Sequence, residues 1–518
     1  MEALLPLLVV LPLAAAFAAV AMAHADVTKR LIAPLAVLVV LANLVISVAL
    51  PHQPAVGTGP LSLFVGGWGG QEAGPLGIQM IFDGLSKLLA VTINLVALVS
   101  LLFAGAYMRR FTKVWLFTAL LLLMTAAMNG VVLAGDLFNL FVFLEIAAIA
   151  SYALVGFGCE AEELEAAFKY LVLGTVGSAL ILLGVAILYS LTGHLNMAKV
   201  AALLPKVGSN GPAVLLAAAA LLSGLALKAA MVPFHAWLPD AHPSAPAPIS
   251  AMLSGVLIKA SGVYAMARIV FNVLGPTPQY AGILIALGLL SMIVGMLLAL
   301  GQWDLKRLLA YSSISQAGYI VLALGVAAEV LSRSPPDRAV AGLCLLGGLF
   351  HLFNHAAFKG LLFLSSGSIE QATGTRQLKQ MGGLARQMPV TGFCCRVGAL
   401  SIAGVPPFNG FFSKIIIIIA LALAGRLILC AVAVGVAVGT LLMYVKVQRY
   451  VLEGAPTQRA PVRESAWPMG VGMAILAVVC VLGGLAILPL KEYLFDPAGK
   501  VLLDSVTAAG RLAMGATP

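Results

Sequence analysis

The chain has 518 residues, 61% of them hydrophobic and only 10% charged, with a formal net charge of +10. A soluble domain is about a quarter charged, so this composition excludes an ordinary soluble enzyme. The basic excess is scattered between apolar runs instead of clustered on one face, which argues against a nucleic-acid-binding surface. Runs of eighteen or more apolar residues recur along the whole length, and the period-2 alternation of a β-barrel is missing. The reading is an all-α polytopic membrane protein in a single membrane domain, residues 1–518.

In chain order, about 14 spans centre near residues 13, 41, 92, 123, 146, 177, 226, 258, 290, 317, 354, 405, 437 and 479. The first ends in AMAHA, like a cleavage site, but MEALLP lacks a positive leader, so it reads as a retained helix. Residues 51–77, rich in Gly and Pro, read as an external loop. Numbering the loops by the preceding span, odd loops hold 14 Lys+Arg, even loops 6 and the C-terminal tail 3. By the positive-inside rule the odd-numbered loops are cytoplasmic and both termini lie outside. This places the chain in the cell (inner or plasma) membrane.

Three pairs of segments echo one another. EAAFKY, with Lys169, and HAAFKG, with Lys359, stand 190 residues apart, each followed by Gly-Ser. MVPFHAW matches VPPFNGF through Pro233 and Pro407. Asp136 with SYALVGFG matches Asp304 with GYIVLALG. Spans 4–8 (112–272) and 9–13 (278–452) therefore read as two inverted five-helix repeats, a plan found in secondary transporters. The offset drifts from 190 to 174 between the first two echoes. Pro233 and Pro407 remove helix hydrogen bonds in mid-membrane, so spans 7 and 12 read as broken helices lining ion pathways.

Seven basic residues fall inside spans: Lys87, Lys169, Lys228, Lys259, Lys359, Arg396 and Lys414. Glu145, mid-span in FLEIAA, costs a few kcal/mol to insert, and such carboxylates are by default functional. Lys228, five residues before Pro233, is its expected partner. His351, His355 and Lys359 share one helix face at spacings of four. Burial disfavours the charged form of a lysine and a nearby carboxylate restores it, so such lysines can load and unload protons. Histidine suits the middle of such a row. Glu145, Lys228, Lys259, His355 and Lys414 are the expected proton relay. Lys359, His351, His235, Lys169 and Asp136 are secondary members or structural groups.

The bland readings run alongside. Lys169 has Glu165 one turn away and reads equally as an ion pair. Lys87 and Arg396 read as anchors. Asp136 and Asp83 fit a cation site or simple helix ends. His235 reads as a hydrogen-bonding group of the broken helix, and His242 as water-facing. The six cysteines show no CxxC spacing. No metal and no cofactor are expected, and nucleotide-binding and hydrolase motifs are absent.

KAAMVPFHAWLPDAHPSAPAPISAMLSGVLIKASGVY, with GDLFNLFVFLEI, LKRLLAYSSISQAGYI, LFNHAAFKGLLFLSSGSI and LSIAGVPPFNGFFSK, resembles the antiporter-like subunits of complex I and of Mrp-type cation/proton antiporters. The resemblance covers roughly residues 75–450. It implies 14 helices with inverted repeats, the relay named above, and a subunit that works beside other antiporter-like and small hydrophobic membrane subunits. Lys414, where the similar complex I subunit carries Glu, resembles the D-type member of the Mrp antiporter subunits. The resemblance thus implies proton translocation in a Na⁺/proton antiporter, with no catalysis by the chain itself. The alternative is the proton-pumping module of a redox complex of the membrane-bound hydrogenase or NADH–quinone oxidoreductase type. A scaffold whose charges merely pair helices is disfavoured by the ordered row.

Overall fold

A computed structural model describes residues 2–24, 26–53, 59–66, 77–209, 211–455 and 462–504. The longer helices are α1 Leu7–Met22, α2 Asp26–Ala49, α3 Gly84–Tyr107, α4 Val114–Leu133, α5 Leu137–Val155 and α6 Ala161–Thr192. After them come α7 Met197–Val207, α8 Pro212–Lys228, α9 Leu238–Ser244 and α10 Ala247–Leu274. The second half holds α11 Pro278–Gly301, α12 Leu305–Leu331, α13 Arg338–Thr373, α14 Pro389–Ala403, α15 Asn409–Leu423, α16 Leu427–Leu452, α17 Trp467–Leu485 and α18 Asp496–Leu503. Twelve helices among the described residues are long and apolar enough to cross a membrane, and α8, α14 and α15 are shorter apolar helices.

Apolar sequence makes helices here because a bilayer offers the backbone no other partner for its N–H and C=O groups. Their starts are written in side chains. Asp83, Asp136, Asn196, Asp304 and Asp337 each accept from backbone N–H groups of the first turn. Besides isolated bridges and turns, the described residues hold a two-stranded antiparallel sheet, β1 Leu61–Val65 with β2 Ile78–Phe82. β1 falls in the segment read as an external loop and β2 directly after it. The rest of that loop, 54–58 and 67–76, lies outside the described residues.

The 36-residue α13 runs through the middle and packs on α10, α12, α14, α15 and α17. In the first half α6 and α8 approach through glycine. A Cβ on Gly224 would sit 2.5 Å from the Gly177 carbonyl oxygen, so Gly224 admits no side chain without separating the helices. α10 is irregular, wound as π-helix over Leu253–Leu257, Lys259–Tyr264 and Arg268–Leu274. Such turns are uncommon and concentrate at functional sites.

One set of backbone contacts recurs in both halves. Leu137 N–H donates to Leu195 O and Leu305 N–H to Arg376 O, both at 2.9 Å; Met197 bonds Gly135 as Leu378 bonds Trp303. Thr192 and Thr373 each cap back by one turn just before Gly193 and Gly374, both left-handed at φ +69° and +72°. At the separation of those glycines, Lys359 falls on Ser178 and Lys169 on Phe350. The Lys169/Lys359 echo, at 190, is therefore out of step with these recurring contacts. Two similar short strings sit at different heights on their helices.

Candidate functional site

The first break follows Lys228. Ala230 takes φ +54°, and Met231 N–H reaches back to Ala226 O. The second is built alike: Gly404 takes φ +79° and Val405 N–H reaches Leu400 O. The first break frees a carbonyl and an amide, the second a carbonyl, and side chains claim them. Trp237 Nε1 donates to Leu227 O at 3.0 Å, Val232 N–H to Ser291 Oγ at 2.9 Å, and Lys414 Nζ to Ile402 O at 2.7 Å. Pro233 and Pro407 themselves face outward on the isolated chain. The prolines make the breaks, but the freed backbone behind them lines the interior.

At the first break Lys228 Nζ lies 3.1 Å from Glu145 Oε1. Ser178 Oγ on α6 donates to the same oxygen. Lys228 is buried, while the Glu145 side chain keeps 28% of its surface, so the pair opens sideways at the edge of α5. An aromatic stack walls it. Tyr152 meets Tyr170 edge-on at 4.5 Å, and Tyr170 lies flat on Trp237 at 4.0 Å. The stack joins α5, α6 and the segment after the break.

Beyond this pair Lys259, Lys359 and Lys414 have no carboxylate partner among the described residues. Lys259 is fully buried in the π-wound part of α10 and donates to Ser254 O. That helix reaches the break directly, because a Cβ on Gly262 would overlap Ala229 Cβ. Lys359 donates to Leu309 O at 2.7 Å and to Ser312 Oγ, with Tyr444 Oη at 3.4 Å. His351 and His355 are fully buried, their rings 6.3 Å apart and nearly parallel. His351 Nδ1 lies 2.9 Å from Ser413 Oγ; neither nitrogen of His355 has a partner among the described residues. Lys414 sits 5.5 Å from the Tyr319 ring. Lys259 lies within electrostatic range of His351, His355 and Lys359, and Lys414 within range of both histidines. The structure therefore gathers Lys259, Lys359, His355, His351 and Lys414 into one buried row, with Glu145–Lys228 at one end.

Other expected members stand apart. Lys169 is half-exposed and pairs with Glu165 at 2.7 Å and Asp240 at 3.3 Å. Asp136 caps α5 through the N–H groups of Phe138 and Asn139. Asp83 caps α3 and pairs with buried Arg268 at 2.7 Å. His235 is half-buried at the break. Lys87 is buried, bonded to Leu50 O and Tyr493 Oη, and Arg396 makes an exposed pair with Glu453. His242, expected to face water, is fully buried and stacked on Phe363 at 4.4 Å. The short helix α9 carries it onto Phe363, which the neighbouring Asp240 did not signal. Sequence reading also missed Lys306, assigned to a loop but nearly fully buried, with Glu370 at 2.9 Å. Its signal was faint: one Lys beside an apolar run that begins with an Asp cap.

Among the described residues no group of three metal-ligating side chains stands together. The row sets titratable side chains close to one another inside the protein.

The transmembrane model described as NADH:quinone oxidoreductase/Mrp antiporter matches residues 134–440, which hold both breaks and the whole row. The N subunit of the NADH-quinone oxidoreductase of Desulforudis audaxviator is 38% identical over 467 residues, covering 88% of each chain. The D-type member of the Na(+)/H(+) antiporter subunits of Alkalihalophilus pseudofirmus is 33% identical, covering 84% of this chain and 85% of that protein. A chain of the Mrp complex from Dietzia sp. DQ12-45-1b superposes with TM-score 0.87 at 30% identity, covering 99% of each chain. A chain of the membrane-bound sulfane sulfur reductase, an archaeal respiratory membrane complex, superposes at 0.84 and 30% identity, covering 98% of this chain. With the family model spanning more than half the chain and relatives aligned nearly end to end, this membrane protein belongs to the NADH:quinone oxidoreductase/Mrp antiporter family as an antiporter-like subunit.

Proposed function

We propose that the chain is the proton-translocating subunit of a multi-subunit cation (Na⁺)/proton antiporter, moving protons along Glu145, Lys228, Lys259, His355 and Lys414. Lys359 and His351 lie within the row. The observation that carries this is the buried line of lysines and histidines on α10, α13 and α15, ending at one ion pair. Each ammonium leans on a backbone carbonyl, a weak substitute for a counter-charge. A change at Glu145–Lys228 then alters how readily the next lysine holds its proton. Broken helices at both ends supply the irregular, polar-lined backbone that ion pathways need.

The same reading makes α8 with α9, and α14 with α15, two interrupted spans, giving 14 in all. It makes residues 112–272 and 278–452 inverted repeats, supported by the recurring contacts around Gly193 and Gly374. It puts the odd-numbered loops in the cytoplasm and both termini outside. The outward-opening carboxylate of Glu145 fits a site completed by a neighbouring membrane subunit.

A second reading has its own support. The N subunit of an NADH-quinone oxidoreductase aligns over 88% of the chain, and a respiratory reductase chain superposes at 0.84. There the same row would be driven by electron transfer in partner subunits. The deciding experiment uses vesicles holding the whole complex, a pH-sensitive dye, Na⁺ pulses and, separately, an electron donor. Na⁺-driven proton flux lost in Lys228→Ala supports the antiporter. Flux driven only by the donor supports the redox pump. Normal flux in an assembled Lys228→Ala complex defeats the relay in either setting.

A further inference from the structure

Between the loop after α3, the start of α6 and the end of α9 lies a polar cavity of about 410 Å³. Glu160, Glu162, Glu163, Ser244, Lys306 and Glu370 are among its lining residues. Its inner wall is an ion-pair network. Lys306, only 3% exposed at the side chain, donates to Ala245 O at 3.1 Å and lies 2.9 Å from Glu370. That Glu370 oxygen is within ion-pairing distance but lacks hydrogen-bond alignment. Arg376 donates to Pro243 O at 2.6 Å and pairs with Asp304 at 3.3 Å. The two cations thus hold the backbone just after His242, at Pro243 and Ala245.

His242 is wholly buried and neither ring nitrogen has a partner among the described residues. An imidazole buried this way is costly unless something exchanges protons or hydrogen bonds with it. Lys306 on the cavity side and Lys359 and Lys259 on the row side all lie within its electrostatic range. Its ring rests on Phe363, whose own ring centroid is 5.9 Å from Lys359 Nζ. The cavity, the network and the histidine form a line from the protein surface to the row.

We propose that this cavity is the cytoplasmic proton inlet of the chain, with the Lys306–Glu370 pair as its gate and His242 as the group that passes the proton inward. This rests on the relay reading above. When the pair parts, Glu370 takes a proton from water in the cavity. Glu370 passes that proton to one ring nitrogen of His242, and the other ring nitrogen gives its proton to Lys359 once that amine is deprotonated, so the ring ends neutral in its other tautomer and Lys359 ends as the ammonium. Lys306 is a positioning residue, since it holds the carbonyl of Ala245 and sets the approach to His242.

The test uses the whole complex in vesicles, in a Cys159→Ser background because Cys159 is exposed. Ser244→Cys places a thiol in the cavity wall, and flux is read in the same preparation before and after a membrane-impermeant thiol reagent. Reagent on the cytoplasmic side should lower flux by about tenfold, and reagent on the external side should not. Lys306→Ala, Glu370→Gln and His242→Asn should each lower flux, with Lys306→Arg retaining most of it. Ser244→Cys that is labelled, by mass, yet transports as before overturns the inlet. So do silent Glu370→Gln and His242→Asn variants when Lys228→Ala abolishes flux; the relay then stands without this inlet. Normal flux in Lys228→Ala overturns the relay and the inlet together. If Lys306→Ala does not assemble, the labelling arm decides.

Discussion

The two helix breaks share a backbone but not a chemistry. Behind Pro233 the interior carries an ion pair, Lys228 to Glu145, tuned by Ser178. Behind Pro407 it carries Lys414 on a lone carbonyl, Ile402 O, with no carboxylate at hand among the described residues. At the position matching Ser178, the second half has Lys359, held by Leu309 O and Ser312. At the first break a cation sits beside its counter-charge; at the second it sits on a backbone dipole alone. On the proposed relay, the difference teaches that two similar breaks can serve a switchable end and a conducting end.

That comparison can be broken most directly at the ion pair. Lys228→Ala leaves Glu145 without its cation, which for a buried pair costs about 3 kcal/mol or more. We expect proton flux to fall below detection and the melting temperature of the complex to drop. Retained flux in an assembled complex would sink the idea that this end switches anything. Next in size is Lys414→Ala. It strands no carboxylate, so flux should fall by about tenfold while the melting temperature stays or rises, because a desolvated cation has gone. A stability loss as large as that of Lys228→Ala would mean Lys414 has a counter-charge and the two ends are alike.

Ser178→Ala sharpens the same contrast. It removes one hydrogen bond from Glu145 and leaves the pair, so flux should fall by a few-fold, about the worth of one ordinary hydrogen bond. The matching change, Lys359→Met, should reduce flux more, since it deletes a proton site and not a tuning group. Equal effects would contradict the correspondence of Ser178 with Lys359. The smallest effect is expected at Lys169→Ala. Its pairs with Glu165 and Asp240 are exposed, and flux measured in vesicles should match wild type. A clear loss there would restore the sequence echo that the three-dimensional register sets aside.

Much of the fold was legible in the order of residues. Apolar runs bounded by Asp and Gly caps announce helices, because a membrane leaves the backbone one way to satisfy itself. Pro233 and Pro407 mark the breaks for the same reason. Glu145, Lys228, Lys259, His355 and Lys414 stood out because charge inside apolar sequence is rare and costly. Tertiary structure alone decided which of those charges share an interior. It turned Lys169 to the surface, since the start of α6 projects beyond the packed core. It buried Lys306 and His242, which local sequence makes look polar and exposed, because α9 packs on α12, setting His242 on Phe363 and the Ala245 carbonyl on Lys306. It also set Lys359 against Ser178, a register that depends on where the ends of α6 and α13 meet the starts of α5 and α12. Local composition carries the cost of putting a charge in the membrane, whereas the partner that offsets it lies tens or hundreds of residues away.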